Sequence, residues 1–169
     1  MLDAAESLAN QSENVDKTEA SLVGVIVGSE SDLDVMQECC TQLEGFGVPY
    51  ELIVASAHRS PDKVHAWAGE AAARGIRVII AAAGKAAHLA GVVAAYTPLP
   101  VIAVPMKTSD LGGLDSLLSM VQMPRGVPVA CVAINGARNA AILATQILGV
   151  GDERRRQQIV DFKQQMAEG

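Results

Sequence analysis

One pattern constrains the fold of this chain more than any other. Five short apolar, largely β-branched runs occur along it: SLVGVIVG (21–28), YELIVAS (50–56), IRVIIAAAG (76–84), TPLPVIAVP (97–105) and VPVACVAI (127–134). Between them lie stretches whose apolar residues recur at helical spacing. A strand that is apolar throughout is covered on both faces, and strands joined through helices run parallel. The alternation therefore predicts an α/β domain built on a five-stranded parallel sheet, with helices on both sides and right-handed crossovers.

The helices have their own signals. Leu33, Met36, Cys40 and Leu43 form one stripe, ended by Gly45 and Gly47, with Ser31 as the expected N-cap and acidic Asp32 and Asp34 in the first turn. The second helix reads from Ser60 as N-cap and Pro61 at the first helical position to Gly75. AAHLAGVVAAY (86–96), LGGLDSLLSMV (111–121) and NAAILATQILG (139–149) follow, with QMPRG (122–126) as a loop.

Three units result: an acidic, flexible tail over 1–20, the α/β catalytic domain over 21–149, and a C-terminal helix over 150–169. That last helix carries a narrow stripe of Ile159, Phe162 and Met166 among polar residues. Such a stripe needs a surface, and the expectation is a neighbouring subunit, with the chain's own core as the competing site.

Composition excludes several classes. The net charge is −6 and no Lys/Arg run could track a nucleic-acid backbone. Cys39, Cys40 and Cys131 form no disulfide framework and no CxxC pair, which suits a reducing cytoplasm. No apolar run is long enough to span a bilayer, and no basic patch precedes an apolar stretch as in a secretory signal. The three histidines and three cysteines show no metal-ligand spacing, so no metal is expected. Cys39 and Cys40 read as helix packing, Trp67 as a core or interface anchor, and His65 as structural or exposed.

In open parallel sheets, ligands bind beyond the carboxyl ends of the strands. Three unusual stretches fall there: GSESD (28–32) after strand one, SAHRSP (56–61) after strand two and AAGKAAHL (82–89) at the end of strand three. GSESD offers Ser29, Ser31, Asp32 and helix N-terminal amides, which suit a phosphate, with Asp32 better matched to a sugar hydroxyl. Plain capping by Ser31 or Asp32 explains the same residues. In SAHRSP, Arg59 supplies a planar fork for phosphate oxygens and His58 can give and take a proton. A surface ion pair for Arg59 and a backbone contact for His58 is the alternative. His88 sits among Ala, Leu and Gly, where it is either a satisfied core imidazole or part of a ligand pocket beside Gly84.

These stretches, with LGGLDSLLSMVQMPRGVPVA and NAAILATQIL, resemble bacterial N5-carboxyaminoimidazole ribonucleotide mutase, of the phosphoribosylaminoimidazole carboxylase catalytic subunit family; the resemblance covers most of 24–148. It implies a three-layer flavodoxin-like fold and a homo-octamer. It implies conversion of N5-carboxyaminoimidazole ribonucleotide to 4-carboxy-5-aminoimidazole ribonucleotide in purine synthesis. No cofactor is implied, and an ATP-dependent carboxylating enzyme would supply the substrate. Carried over by motif, His58 is the general acid/base, and Ser29, Asp32 and Arg59 hold the nucleotide. His88, Gly84 and Ala86 line the carboxylate pocket, and Ser31, Ser56, Lys85 and Leu89 complete the substrate-binding set. The chain departs from the family at Lys85, where glycine or another uncharged residue is frequent, at Ala90, often proline, and at Ala103, often glycine. Its NGARNAA turn is also short. Competing readings are direct carboxylation of aminoimidazole ribonucleotide with CO2 and a non-catalytic nucleotide- or flavin-binding module.

Overall fold

The computed structural model describes residues 20–169. The expected acidic tail lies outside these residues, apart from Ala20.

The strands are β1 (Val23–Val27), β2 (Tyr50–Val54), β3 (Val78–Ala83), β4 (Val101–Pro105) and β5 (Ala130–Cys131). The helices are α1 (Leu33–Gly45), α2 (Pro61–Glu70), α3 (Leu89–Tyr96), α4 (Leu114–Val121), α5 (Ala137–Gly149) and α6 (Glu153–Glu168), with a short 3-10 turn at Glu30–Asp32 before α1. The sheet order is β2-β1-β3-β4-β5 and every pairing is parallel. This is the flavodoxin-like order, in which the chain reverses its direction of travel across the sheet between β1 and β3.

Side-chain alternation along the strands splits the core in two. Val23, Val25 and Val27 of β1 face one side with Val78, Ile80, Ile102 and Val104, where α1, α5 and α6 pack. Ile26, Ile79, Ala81, Ala83 and Ala103 face the other, under α2, α3 and α4. Mid-strand Gly24 has a packing reason: a Cβ there would lie 2.8 Å from the Trp67 ring. A glycine in a central strand commonly marks such a close approach. Trp67 is thus a core anchor, and Arg74 lies over its ring while pairing with Glu51 at 2.7 Å.

Some expectations need correcting. Ser31 does not cap α1: the 3-10 turn intervenes, Asp32 occupies the N-cap position, and the Ser31 N–H donates to Ser29 Oγ. Ser60 is the N-cap residue of α2 with Pro61 at the first helical position, as read, but it makes no side-chain cap bond, because its hydroxyl is engaged by the backbone of Ser56. Helix α2 stops at Glu70, and tight turns lead to Gly75 at φ +98. Strand β5 has 2 residues rather than the eight-residue run read from sequence. Pro128 removes a ladder donor before it, and the chain turns at Asn135, φ +57, after it. In α6, Ile159 is buried and Phe162 packs on the same chain's core, with its ring 5.4 Å from that of Phe46. Most of the stripe assigned to a neighbour is thus covered internally; Met166 stays exposed.

Cys39 and Cys40 are buried in α1, and burial pushes both thiols up from their ordinary range. They are packing residues, as read. His65 stacks on Tyr96 at 4.1 Å on the outside of α2 and α3.

Candidate active site

Each loop at the carboxyl edge is shaped by its own sequence. After β1, Gly28 donates its N–H to Ala82 O and continues the β1–β3 pairing by one residue. A Cβ at Gly28 would meet the Ala83 Cβ at 3.4 Å, so β3 can lie close here. The Ser29 hydroxyl then accepts from the Ser31 hydroxyl at 3.0 Å, while the Ser31 hydroxyl also reaches Asp32 Oδ1 at 3.3 Å. Asp32 is half-buried, and desolvation raises its carboxyl above the ordinary range, partly offset by the Ser31 hydrogen bond.

After β2, Ser56 organises the loop. Its hydroxyl accepts from the N–H of His58 at 3.3 Å and of Arg59 at 3.2 Å. Its backbone N–H donates to Ser60 Oγ at 3.1 Å, and its carbonyl accepts from the Ser60 hydroxyl. Ser56 therefore acts on the loop, turning the two functional side chains outward together. Arg59 Nη2 donates to Gly28 O at 3.1 Å, which clamps the second loop onto the first and leaves guanidinium donors for a ligand.

After β3, the His88 and Ala87 N–H groups donate to Ala86 O and Lys85 O, each at 2.8 Å, making a tight turn into α3. This turn delivers His88 Nδ1 to 3.0 Å from His58 Nε2, with the two rings perpendicular. One ring must donate and the other accept, so at least one imidazole is neutral in this contact.

Ser29, Asp32, Ser56, His58, Arg59, Gly84, Ala86, His88 and Leu89 line a single cavity of about 160 Å³. Nine of the eleven site residues read from sequence are thereby brought together. Ser31 and Lys85 are not in the lining: Ser31 supports Ser29 and Asp32, and the Lys85 ammonium lies 2.9 Å from Asp110. Gly28, Ala57 and Ala83 also line the cavity and were not named as site residues. They contribute backbone and closeness, and the only signal for them is membership of the same three stretches. Buried Ser116, which accepts from the Lys85 N–H at 2.9 Å, gave no sequence signal.

Residues 22–169 match the family model described as AIRC, AIR carboxylase. The chain belongs to the AIR carboxylase family. Among relatives, the N5-carboxyaminoimidazole ribonucleotide mutase of Pyrococcus horikoshii is 54% identical over 156 residues, covering 90% of this chain and 88% of that protein. The protein of the same name from Thermotoga maritima is 56% identical over 144 residues, covering 85% and 84%. The phosphoribosylaminoimidazole carboxylase of Saccharomyces cerevisiae is 61% identical over 131 residues, 78% of this chain but only 23% of that longer protein. The crystal structure of Treponema denticola PurE superposes with a TM-score of 0.80 at 28% identity, covering 87% of this chain and 92% of that one. The AIR carboxylase family match spans all three site loops and the sheet that carries them.

Proposed function

We propose that the chain converts N5-carboxyaminoimidazole ribonucleotide to 4-carboxy-5-aminoimidazole ribonucleotide, an isomerisation in purine synthesis. One observation carries the reading: a proton-transferring imidazole, a half-buried carboxylate and a clamped guanidinium converge from three strand ends on one cavity. Relatives of nearly the same length carry the mutase name.

The residues divide the substrate between them. Ser29, Arg59 and the Glu30 N–H at the start of the Glu30–Asp32 turn suit the 5-phosphate, the Ser31 and Asp32 N–H groups being engaged by Ser29. Asp32 suits a ribose hydroxyl. Gly84, Ala86 and His88 form a mostly uncharged end for the carboxylate, with Leu89 as its apolar wall. There the N–C bond of the carbamate breaks, CO2 forms, and the electron pair stays on the exocyclic nitrogen, which takes a proton from His58. Ring carbon C4 then attacks the retained CO2, forming the C–C bond, and its proton returns to His58. The proton count closes within one turnover, with one imidazole serving as acid and then base. Ala86 and His88 are exposed in the single chain, so retention of the CO2 near C4 rests on that end being covered when substrate is bound.

The cavity of a single chain, about 160 Å³, is below the ~300–1,000 Å³ usual for ligand sites. This supports completion of the site by further copies, as in a homo-octamer. The apolar surface around α4 (Leu111, Leu114, Leu118, Val121) and the outer side of α6 (Val160, Met166) are available for those contacts. Light scattering tests the assembly, and a clean monomer would remove shared sites. The substrate implies an upstream ATP-dependent carboxylation of an aminoimidazole ribonucleotide, and the reaction is placed in the cytoplasm with that enzyme.

Direct carboxylation of aminoimidazole ribonucleotide is the second reading, favoured by the carboxylase name of the family and of the much longer fungal and plant relatives. The discriminating experiment supplies purified protein with either the N5-carboxy compound or aminoimidazole ribonucleotide plus bicarbonate, without nucleoside triphosphate. Faster product formation from the N5-carboxy compound is expected. Product only from the bicarbonate arm would establish the carboxylase, and product from neither would end both readings.

A further inference from the structure

Outside the glycines, only Lys85 and Asn135 have positive φ among the described residues, each at +57. A side chain in this region is disfavoured, and such a residue persists where its surroundings hold it. Lys85 is held at two points by one neighbouring segment. Its backbone N–H donates to Oγ of Ser116, a fully buried serine in the first turn of α4, at 2.9 Å. Its ammonium lies 2.9 Å from Asp110 in the loop preceding α4.

That segment is itself braced. The Thr108 hydroxyl donates to Asp115 Oδ1 at 2.9 Å and accepts from the Gly113 N–H at 3.2 Å. Inward of Lys85, Gly84 rests against Met106 and Thr108, where an added Cβ would find atoms at 3.5 and 3.6 Å. Outward along the chain, the Lys85 carbonyl accepts from Ala87, and the next residue is His88. Whatever fixes Lys85 therefore fixes the turn that aims His88 at His58.

We propose that Lys85 is a positioning residue, not a substrate ligand: Ser116 inside and Asp110 outside clamp the Gly84–His88 turn and so set the His58–His88 contact. The proposal rests on the mutase reading of the site. Its charge serves the strap, and its backbone serves the turn. At two anchor points the clamp has an inner member shielded from water and an outer member in solvent. The two should differ in strength and in salt dependence.

Kinetics with the N5-carboxy ribonucleotide test this on the full-length protein in whatever assembly it adopts. Ser116→Ala should lower kcat about tenfold or more with KM changed less than about threefold, because a misplaced turn harms proton transfer while Ser29, Asp32 and Arg59 are untouched. Lys85→Met and Asp110→Asn should each lower kcat about two- to threefold, equally, and the double variant should be no worse than either alone. The imidazole NMR signals of His58 and His88 should lose their hydrogen-bonded signature in Ser116→Ala. A rise in KM for Lys85→Met that Asp110→Asn does not share would make Lys85 a ligand and overturn the proposal. Unchanged kcat in folded Ser116→Ala would overturn it as well. Should Ser116→Ala not fold, the exposed pair decides: unchanged kcat in both Lys85→Met and Asp110→Asn overturns the clamp. Wild-type protein inactive in the same assay would instead mark failure of the mutase reading itself.

Discussion

The helices on the two sides of the sheet differ in length and in what lies beneath them. On one side α1 and α5 have 13 residues each and α6 has 16, over strand residues that are mainly Val and Ile. On the other, α2 has 10 residues and α3 and α4 have 8 each, over strand positions that near the carboxyl edge are Ala81, Ala83 and Ala103. Large β-branched side chains fill volume and give the first side a closed core. Small ones let the second side sink towards the sheet, so that the Gly84–Leu89 turn and the start of α3 enter the cavity. The second side also carries exposed Leu111, Leu114, Leu118 and Val121. Most of the chemistry therefore sits over the second layer, while Ser29 and Asp32 join it from the entry to α1 on the first.

The sharpest break of that division is His58→Asn. His58 sits in the loop entering the thin side and has no role in the core, so turnover should fall by about 10²- to 10⁴-fold while the melting temperature and ribonucleotide binding stay near wild type. Steady-state kinetics beside a thermal melt and a binding titration measure all three. Retained turnover would remove His58 from the mechanism. A large loss of stability would show the layers to be less separate than their packing implies.

Leu43→Ala makes the converse cut. Leu43 is fully buried on the thick side. Its truncation should cost about 2–5 kcal/mol of stability, because closely packed neighbours collapse poorly into the space left. Activity per folded molecule should be unchanged well below the melting transition. Denaturant unfolding together with active-site-normalised rates tests this, and a fall in rate per folded molecule would couple the two sides.

Gly24→Ala is the intermediate case. The new Cβ would meet the Trp67 ring at 2.8 Å, so Trp67 must move. Overpacking of this kind costs about 1–3 kcal/mol. Because Trp67 lies in α2, directly after the His58–Arg59 loop, this smaller loss of stability should carry a measurable loss of kcat, unlike Leu43→Ala. If Gly24→Ala reduces stability alone, the site loop does not depend on the seating of α2.

This contrast also separates what was readable in the sequence from what was not. The strands and both sets of helices follow from apolar runs and helical spacing, since burial on two faces leaves no polar alternation in Val23–Val27 or Val78–Ala83. The parallel order follows from alternation with helices, and the site's edge follows from parallel order. Details that depend on a partner far along the chain were not readable. Ser31 has the type and place of an N-cap, but the intervening 3-10 turn hands the position to Asp32. The sequence of β5 continues in apolar residues beyond the two that pair, because Pro128 and the Asn135 turn limit the ladder. Lys85 stands among pocket residues in sequence, yet contacts 25 and 31 positions away turn it outward. The parallel-sheet rule locates the three loops as a set, whereas the residues alone leave a structural role and ligand binding open for each, and only the family resemblance implies their roles.

The smallest expected effect tests whether the loop entering α1, on the packed side, gives up stability for its chemistry. Burial raises the Asp32 carboxyl above its ordinary range, so the native state disfavours the charge that a sugar hydroxyl needs as its acceptor. The sign follows from linkage: a raised acid contributes stability that is present below the unfolded value, near 3.8, and is lost as pH rises through the folded value. At neutral pH the charged Asp32 is therefore a net drag on folding. Asp32→Asn keeps an oxygen acceptor for Ser31 but carries no charge, so its melting temperature at neutral pH should exceed that of wild type, by no more than a few degrees. The gap should close as pH falls below about 4, where the wild-type carboxyl is itself neutral. KM for the ribonucleotide should rise in the same variant, since the charged acceptor is gone. A lower melting temperature at neutral pH, or a gap that does not change with pH, would mean that Asp32 stabilises its loop and that this part of the site does not reduce stability.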